Sequence, residues 1–190
     1  MGLRFQSIFK KHQLKHLVEL KRGSKGLDRI TGFIVDFSDS LVLLHCLNWD
    51  TFRLNGYTVI REDDISHYRF FDKPAYWQFR AAKLLRFSPG QPTGVSIGSF
   101  HEFLTSVAKR FPLVMFHPER TKPETCYVGS VSSVTDRTVV LDDLSSSAEW
   151  TGPRRLKLAD ITKVDFGGGY EESLAMTVPA RTKQKRRKTS

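Results

Sequence analysis

Apolar and polar positions along this chain fall into short alternating blocks separated by turn residues, with a few stretches at helical spacing. Residues 16–21, HLVELK, alternate as a half-buried strand does, and Arg22-Gly23-Ser24-Lys25 supplies turn chemistry. Residues 27–37 form a long apolar run with Gly32 in its interior, where a missing side chain permits a bend or bulge. Ser38-Asp39-Ser40 then turns the chain into a nearly continuous apolar strand, residues 41–47. After a loop over residues 48–56, strands are predicted at residues 57–61 and 65–70, parted by Asp63-Asp64. Helical spacing marks residues 4–15, through Phe5, Ile8 and Phe9, and residues 74–87. A third helix follows the capping sequence Ser99-Phe100-His101-Glu102, with Phe103, Leu104, Val107 and Phe111 on its apolar face.

The pattern of the second strand and turn occurs twice. Residues 127–141, YVGSVSSVTDRTVVL, lie 97 positions after residues 30–44, ITGFIVDFSDSLVLL, and match Gly129 to Gly32, Val131 to Ile34, Asp136 to Asp39 and Leu141 to Leu44. A period that long exceeds solenoid repeats and implies duplication of a small domain. The second copy predicts strands at residues 113–117, 126–134, 138–144, 156–158 and 161–166. Gly167-Gly168-Gly169 leads to a short helix at residues 170–176.

Helix, strand, bent strand with a central glycine, aspartate turn, apolar strand and a final strand pair resemble the Sm-like family. The resemblance implies a mainly β fold with flanking helices (α+β): two small bent five-stranded barrels, each preceded by a helix. The expected units are residues 1–87 (helix, first barrel and connecting helix), 88–97 (linker), 98–178 (helix and second barrel) and 179–190 (a basic disordered tail). In that family RNA is held by a stacking side chain and an asparagine after the aspartate turn, and by an Arg-Gly pair. Here these positions fall on Ser40 and Val42, on Arg137 and Val139, and on Arg61-Glu62 and Leu158-Ala159, which do not supply those groups.

Charge relocates the functional question. The net charge is +10, yet residues 1–30 hold eight basic side chains against two acids and residues 181–190 hold six against none, leaving the middle near balance. Weak, non-specific binding to RNA or another nucleic acid is expected through Lys10, Lys11, Lys15, Arg181, Lys183, Lys185, Arg186, Arg187 and Lys188. Aromatics on the third loops, Trp49, Phe52 and Tyr57 and then Trp150, are candidate partner-binding groups or lids over the barrel mouths. Tyr76, Trp77 and Phe79 are expected to pack between the barrels.

No catalytic residue, metal site or cofactor is predicted. His12 and His16 share a helical spacing without a third ligand, the adjacent acid pairs do not face one another, and the triple glycine has no Lys-Ser or Lys-Thr after it. Cys46 and Cys126 are expected as buried thiols in a reducing cytoplasm. No apolar run approaches the roughly 18 residues of a membrane span, so no membrane partner is expected. The expected function is a non-enzymatic binding or assembly module that self-associates or docks protein through edge strands. The alternative is a protein-interaction adaptor with no nucleic-acid role.

Overall fold

The structure, a computed structural model, describes residues 16–23 and 29–178. The first half forms β1 (Leu17–Arg22), β2 (Arg29–Phe37), β3 (Leu41–Asn48), β4 (Arg53–Arg61) and β5 (Ile65–Phe70). The second forms β6 (Val114–His117), β7 (Tyr127–Val134), β8 (Thr138–Leu144), β9 (Trp150–Lys157) and β10 (Lys163–Phe166). Among the described residues three helices accompany them: α1 (Trp77–Leu84), α2 (Phe100–Ala108) and α3 (Gly169–Thr177). The expected helix at residues 4–15 and the tail at 179–190 lie outside the described residues.

All ten strands join one antiparallel sheet in the order β5-β1-β2-β3-β4-β10-β6-β7-β8-β9. Two separate barrels are therefore not what the chain builds. β4 does not close on β5 of its own half; it pairs with β10, placing Tyr57, Thr58, Val59 and Ile60 opposite Phe166, Asp165, Val164 and Lys163. The cause is the apolar face these strands share. Leu41, Leu43 and Val59 of the first half pack in one cluster with Phe116, Val164 and Phe166 of the second, under Phe103, Leu104 and Val107 of α2. Closing each half on itself would divide that cluster and expose part of it to water, at about 25 cal/mol per Å² of apolar surface.

Local chemistry explains the elements. The Ser99 hydroxyl caps α2 by accepting from the Glu102 amide at 3.1 Å, which satisfies a backbone donor that the helix leaves open. Within the sheet the two halves use the same devices at the same offset. A Cβ on Gly32 would stand 2.6 Å from the His45 carbonyl oxygen, and one on Gly129 would collide with that of Asp142. Bulges follow at Ile34/Asp36 and Val131/Ser133, so each second strand bends just after its glycine.

Both fourth strands run longer than their pattern predicts. Asn55-Gly56 and Gly152-Pro153 read as turn chemistry, yet both pairs lie inside strands. Gly56 has φ +68° and its Cβ position is 2.6 Å from the Gly168 backbone, so the strand admits α3 only because a side chain is missing. Conversely α1 is shorter than expected, and Arg86 at φ 50° lies beyond its end. Residues 88–97 are irregular but packed, with Val95 and Ile97 buried in the central cluster.

The close approach at Gly32 predicts that Gly32→Ala destabilises the fold by about 1–3 kcal/mol, the range of overpacking in a filled site. Gly90→Ala, where an added Cβ meets nothing within 4 Å, is expected to change stability by no more than about 0.5 kcal/mol. Urea denaturation of both variants checks the contrast.

Candidate functional site

The β4·β10 seam carries a polar network on the sheet face opposite α2. Alternation along β10 puts Lys163 and Asp165 on this face while Val164 and Phe166 enter the core. Opposite Asp165 stands Thr58, whose hydroxyl donates to Asp165 Oδ1 at 2.5 Å and accepts from the Cys46 thiol at 3.1 Å. Asp165 Oδ2 meets His117 Nε2 at 2.7 Å and Lys163 Nζ at 3.2 Å. Burial pushes the Asp165 pKa up, but the His117, Lys163 and Thr58 contacts outweigh it and hold the group down at about 2. The carboxylate is thus ionised and already fully engaged by the protein.

A cavity of about 400 Å³ opens beside this network, with walls from both halves that include Asn55, Tyr57, Lys163, Asp165, Tyr170 and Glu171. Its chemistry is restrained. Burial pushes the Cys46 thiol up to about 12, which keeps it protonated and poorly nucleophilic. The start of α3 is closed to anions, because the Gly168 amide donates to Glu171 Oε2 at 3.1 Å and the Gly169 amide to Asn55 Oδ1 at 2.8 Å. Burial raises the Glu171 pKa as it serves this cap. The triple glycine is therefore a closely packed helix entry and not a phosphate loop.

A second polar contact ties β1 to the far half. Arg22, 1% exposed, makes a bidentate pair with Glu119 at 2.6 and 2.9 Å, and the Thr162 hydroxyl also bonds Glu119. Burial acts to raise the Glu119 pKa, but the hydrogen bonds from Arg22 and Thr162 and the Arg22 charge prevail and lower it. Nearby, Arg61 donates to the carbonyls of Ile161 at 2.8 Å and Leu158 at 2.6 Å and lies 4.3 Å over the Phe100 ring. Arg120 pairs with Asp64 at 3.0 Å. These cations hold backbone and acids between the halves. Val42 and Val139, the positions the Sm-like resemblance matched to an asparagine, are core residues with no exposure.

The four aromatic candidates do not converge. Trp49 and Phe52 meet each other at 5.2 Å and both touch Trp77 at 5.5 Å. Phe52 sits at φ 51°. Tyr57 lies in β4 instead, stacked on His45 at 4.4 Å and facing Phe166 at 5.5 Å. Trp150 packs against Leu113, Val128 and Leu144. Trp77 stands 51% exposed at one end of the molecule, not between the halves, while Tyr76 packs on Phe71. Lys10, Lys11, Lys15, Arg181, Lys183, Lys185, Arg186, Arg187 and Lys188 all lie outside the described residues. Cys126 is exposed, contrary to the buried thiol expected, because it precedes β7 on the surface.

Arg22, Thr58, His117, Glu119, Lys163 and Asp165 carry the polar seam, and motif spacing pointed to none of them. One signal was available: Lys163 and Asp165 alternate with core residues in a four-residue strand. No protein-family profile matches the chain, and no curated protein matches it.

The buried pair predicts that Arg22→Met alone lowers stability by about 3–5 kcal/mol, because Glu119 is left charged and buried, and that adding Glu119→Leu recovers most of the loss. Equilibrium unfolding of the single and double variants tests this. Asp165 and Glu119 have lowered pKa values in the fold, so their stabilisation is complete above the ordinary values of 3.8 and 4.5 and is lost as pH falls through the folded values, about 2 for Asp165. A stability profile measured from neutral pH downward is expected to fall across this window, and less steeply in the Arg22→Met/Glu119→Leu protein.

Proposed function

We propose that this protein is a non-enzymatic binding module that recruits a protein partner, or a second copy of itself, by adding a strand to the β5 edge. The observation that carries this is the asymmetry of the two sheet ends. Among the described strands β5 pairs with β1 alone and β9 with β8 alone, so these two strands end the sheet. β9 contains Pro153, which has no amide to donate, along with Arg154, Arg155 and Lys157; prolines and charges blunt an edge against pairing. β5, ISHYRF, has no proline and exposes only Ser66, His67 and Arg69 among its side chains. The internal β4·β10 ladder supplies a precedent within the chain for joining such units edge to edge.

The same glycine and bulge in both halves support descent from one duplicated unit with kinship to Sm-like chains. A cytoplasmic location belongs to this reading, supported by two free cysteines. No reaction forms part of it: Asp165 is saturated by protein donors and Cys46 is held as a thiol.

On this proposal, the β5 amides directed away from β1 exchange with solvent deuterium faster in the isolated chain than in the complex. They are expected to slow by at least roughly tenfold in a complex with a co-purifying partner or in a self-associated form of increased solution mass. Protection elsewhere, with β5 unchanged, would sink the edge as the docking site.

A second reading, weak nucleic-acid binding by the basic ends, is favoured by the concentration of the +10 charge at the chain termini. Affinity for single-stranded RNA is then expected to fall steeply from low to moderate salt and to weaken when residues 181–190 are deleted. Binding that ignores both salt and that deletion would remove this role.

A further inference from the structure

The outer side of α1 and the residue after it carry three of the exposed large hydrophobic residues, Trp77, Leu84 and Leu85, which the strand-docking proposal does not use. Inward, Phe79 and Ala82 face a cavity bounded by Leu17, Phe33 and Phe71 of the first half. Outward, Trp77 and Leu84 lie seven residues apart and so share one side of the helix. They are 51% and 82% exposed, and the following Leu85 is 51% exposed. A helix apolar on two opposed faces requires two apolar neighbours. The sheet supplies one.

Charge identifies the other. From residue 73 to residue 101 the chain has no acid but contains Lys73, Arg80, Lys83 and Arg86; Asp72 just before it lines the cavity with Lys83 and Arg86, leaving a net excess of cations. All four are exposed, and none forms an ion pair with a described residue. Arg80 instead donates to the Pro74 carbonyl at 2.6 Å, and Lys83 lies 4.6 Å over the Phe79 ring. Trp77 is backed by Trp49 and Phe52 at 5.5 Å, which fixes one end of the stripe.

We infer that α1 is a docking element for an anionic lipid surface, lying on the bilayer with Trp77, Leu84 and Leu85 in the headgroup boundary and the four cations against lipid phosphates and carboxylates. Tryptophan, leucine and unopposed Lys and Arg on a short helix are the chemistry of interfacial attachment. Single-stranded nucleic acid matches the charge and would stack on Trp77, but it offers nothing to two adjacent exposed leucines. A protein interface tends to place few charges at its centre and to meet them with opposite ones locally, whereas here four cations stand along the stripe against Asp72 beside two of them. Attachment of this kind needs no crossing segment, and no helix among the described residues is long and apolar enough to cross a membrane.

The test is co-sedimentation of the full chain with vesicles of phosphatidylcholine alone and of phosphatidylcholine mixed with phosphatidylserine, read alongside tryptophan fluorescence. Binding is expected only to the anionic vesicles, with a blue shift and a loss of binding as salt rises. Leu84→Ser/Leu85→Ser changes exposed side chains, so folding is retained, and it should weaken partition by at least roughly tenfold. Each of Lys83→Gln and Arg86→Gln should weaken it by roughly fivefold. The inference is overturned if neither vesicle binds, or if the leucine variant binds as the parent does while deletion of residues 181–190 abolishes binding. It is equally overturned if single-stranded RNA binds through Trp77 without regard to the leucine variant.

Discussion

The pairing of β4 with β10 is the constraint on which the rest of the molecule depends. Four residues on each side form the ladder, and through it two five-strand halves become one sheet. The ladder alone is weak, since each hydrogen bond contributes on the order of 1 kcal/mol net. Its hold comes from what it aligns: Val59, Val164 and Phe166 on one face enter a core shared by both halves and capped by α2, while Thr58, Lys163 and Asp165 on the other build the polar seam. Along β10, alternation thus sends apolar and ionic side chains to opposite faces, while in the first half Val42, Leu44 and Ile60 build a second apolar cluster apart from the shared core.

Buried charge reinforces this junction more as specification than as glue. Arg22 and Glu119 lose water on both sides, so their pair offsets its own desolvation and little beyond. Its contribution is to fix β1 against the far half through one bidentate contact. Arg61 acts similarly, since its guanidinium satisfies the carbonyls of Leu158 and Ile161 at the turn before β10. The same saturation leaves the seam chemically quiet, with acids, thiol and helix amides already engaged by protein atoms.

Surface features then divide by location. The edge strands differ, one left plain and one blunted by proline and arginine, the asymmetry on which the proposed docking at β5 rests. Packed beside Leu17, Phe33 and Phe71 of the first half, α1 stands apolar outward amid an excess of cations. The roles proposed for both surfaces are docking, and neither draws on the polar seam.

Much of the local structure was legible in the chain. Alternation located all ten strands, the 97-residue offset matched glycine to glycine, and Ser99 marked the start of α2. The full lengths of β4 and β9 were not legible, because Asn55-Gly56 and Gly152-Pro153 have turn chemistry and only their neighbours reveal them as strand. The partners of Arg22 and Thr58, 97 and 107 residues away, were likewise hidden. By itself the sequence determined which residues bend, cap and alternate, since those are short-range consequences of side-chain shape and polarity. Whether β4 would meet β5 or β10 was decided only in the tertiary structure. Both strands are acceptable hydrogen-bonding partners, and the choice turns on long-range burial of one continuous apolar face that no local pattern encodes.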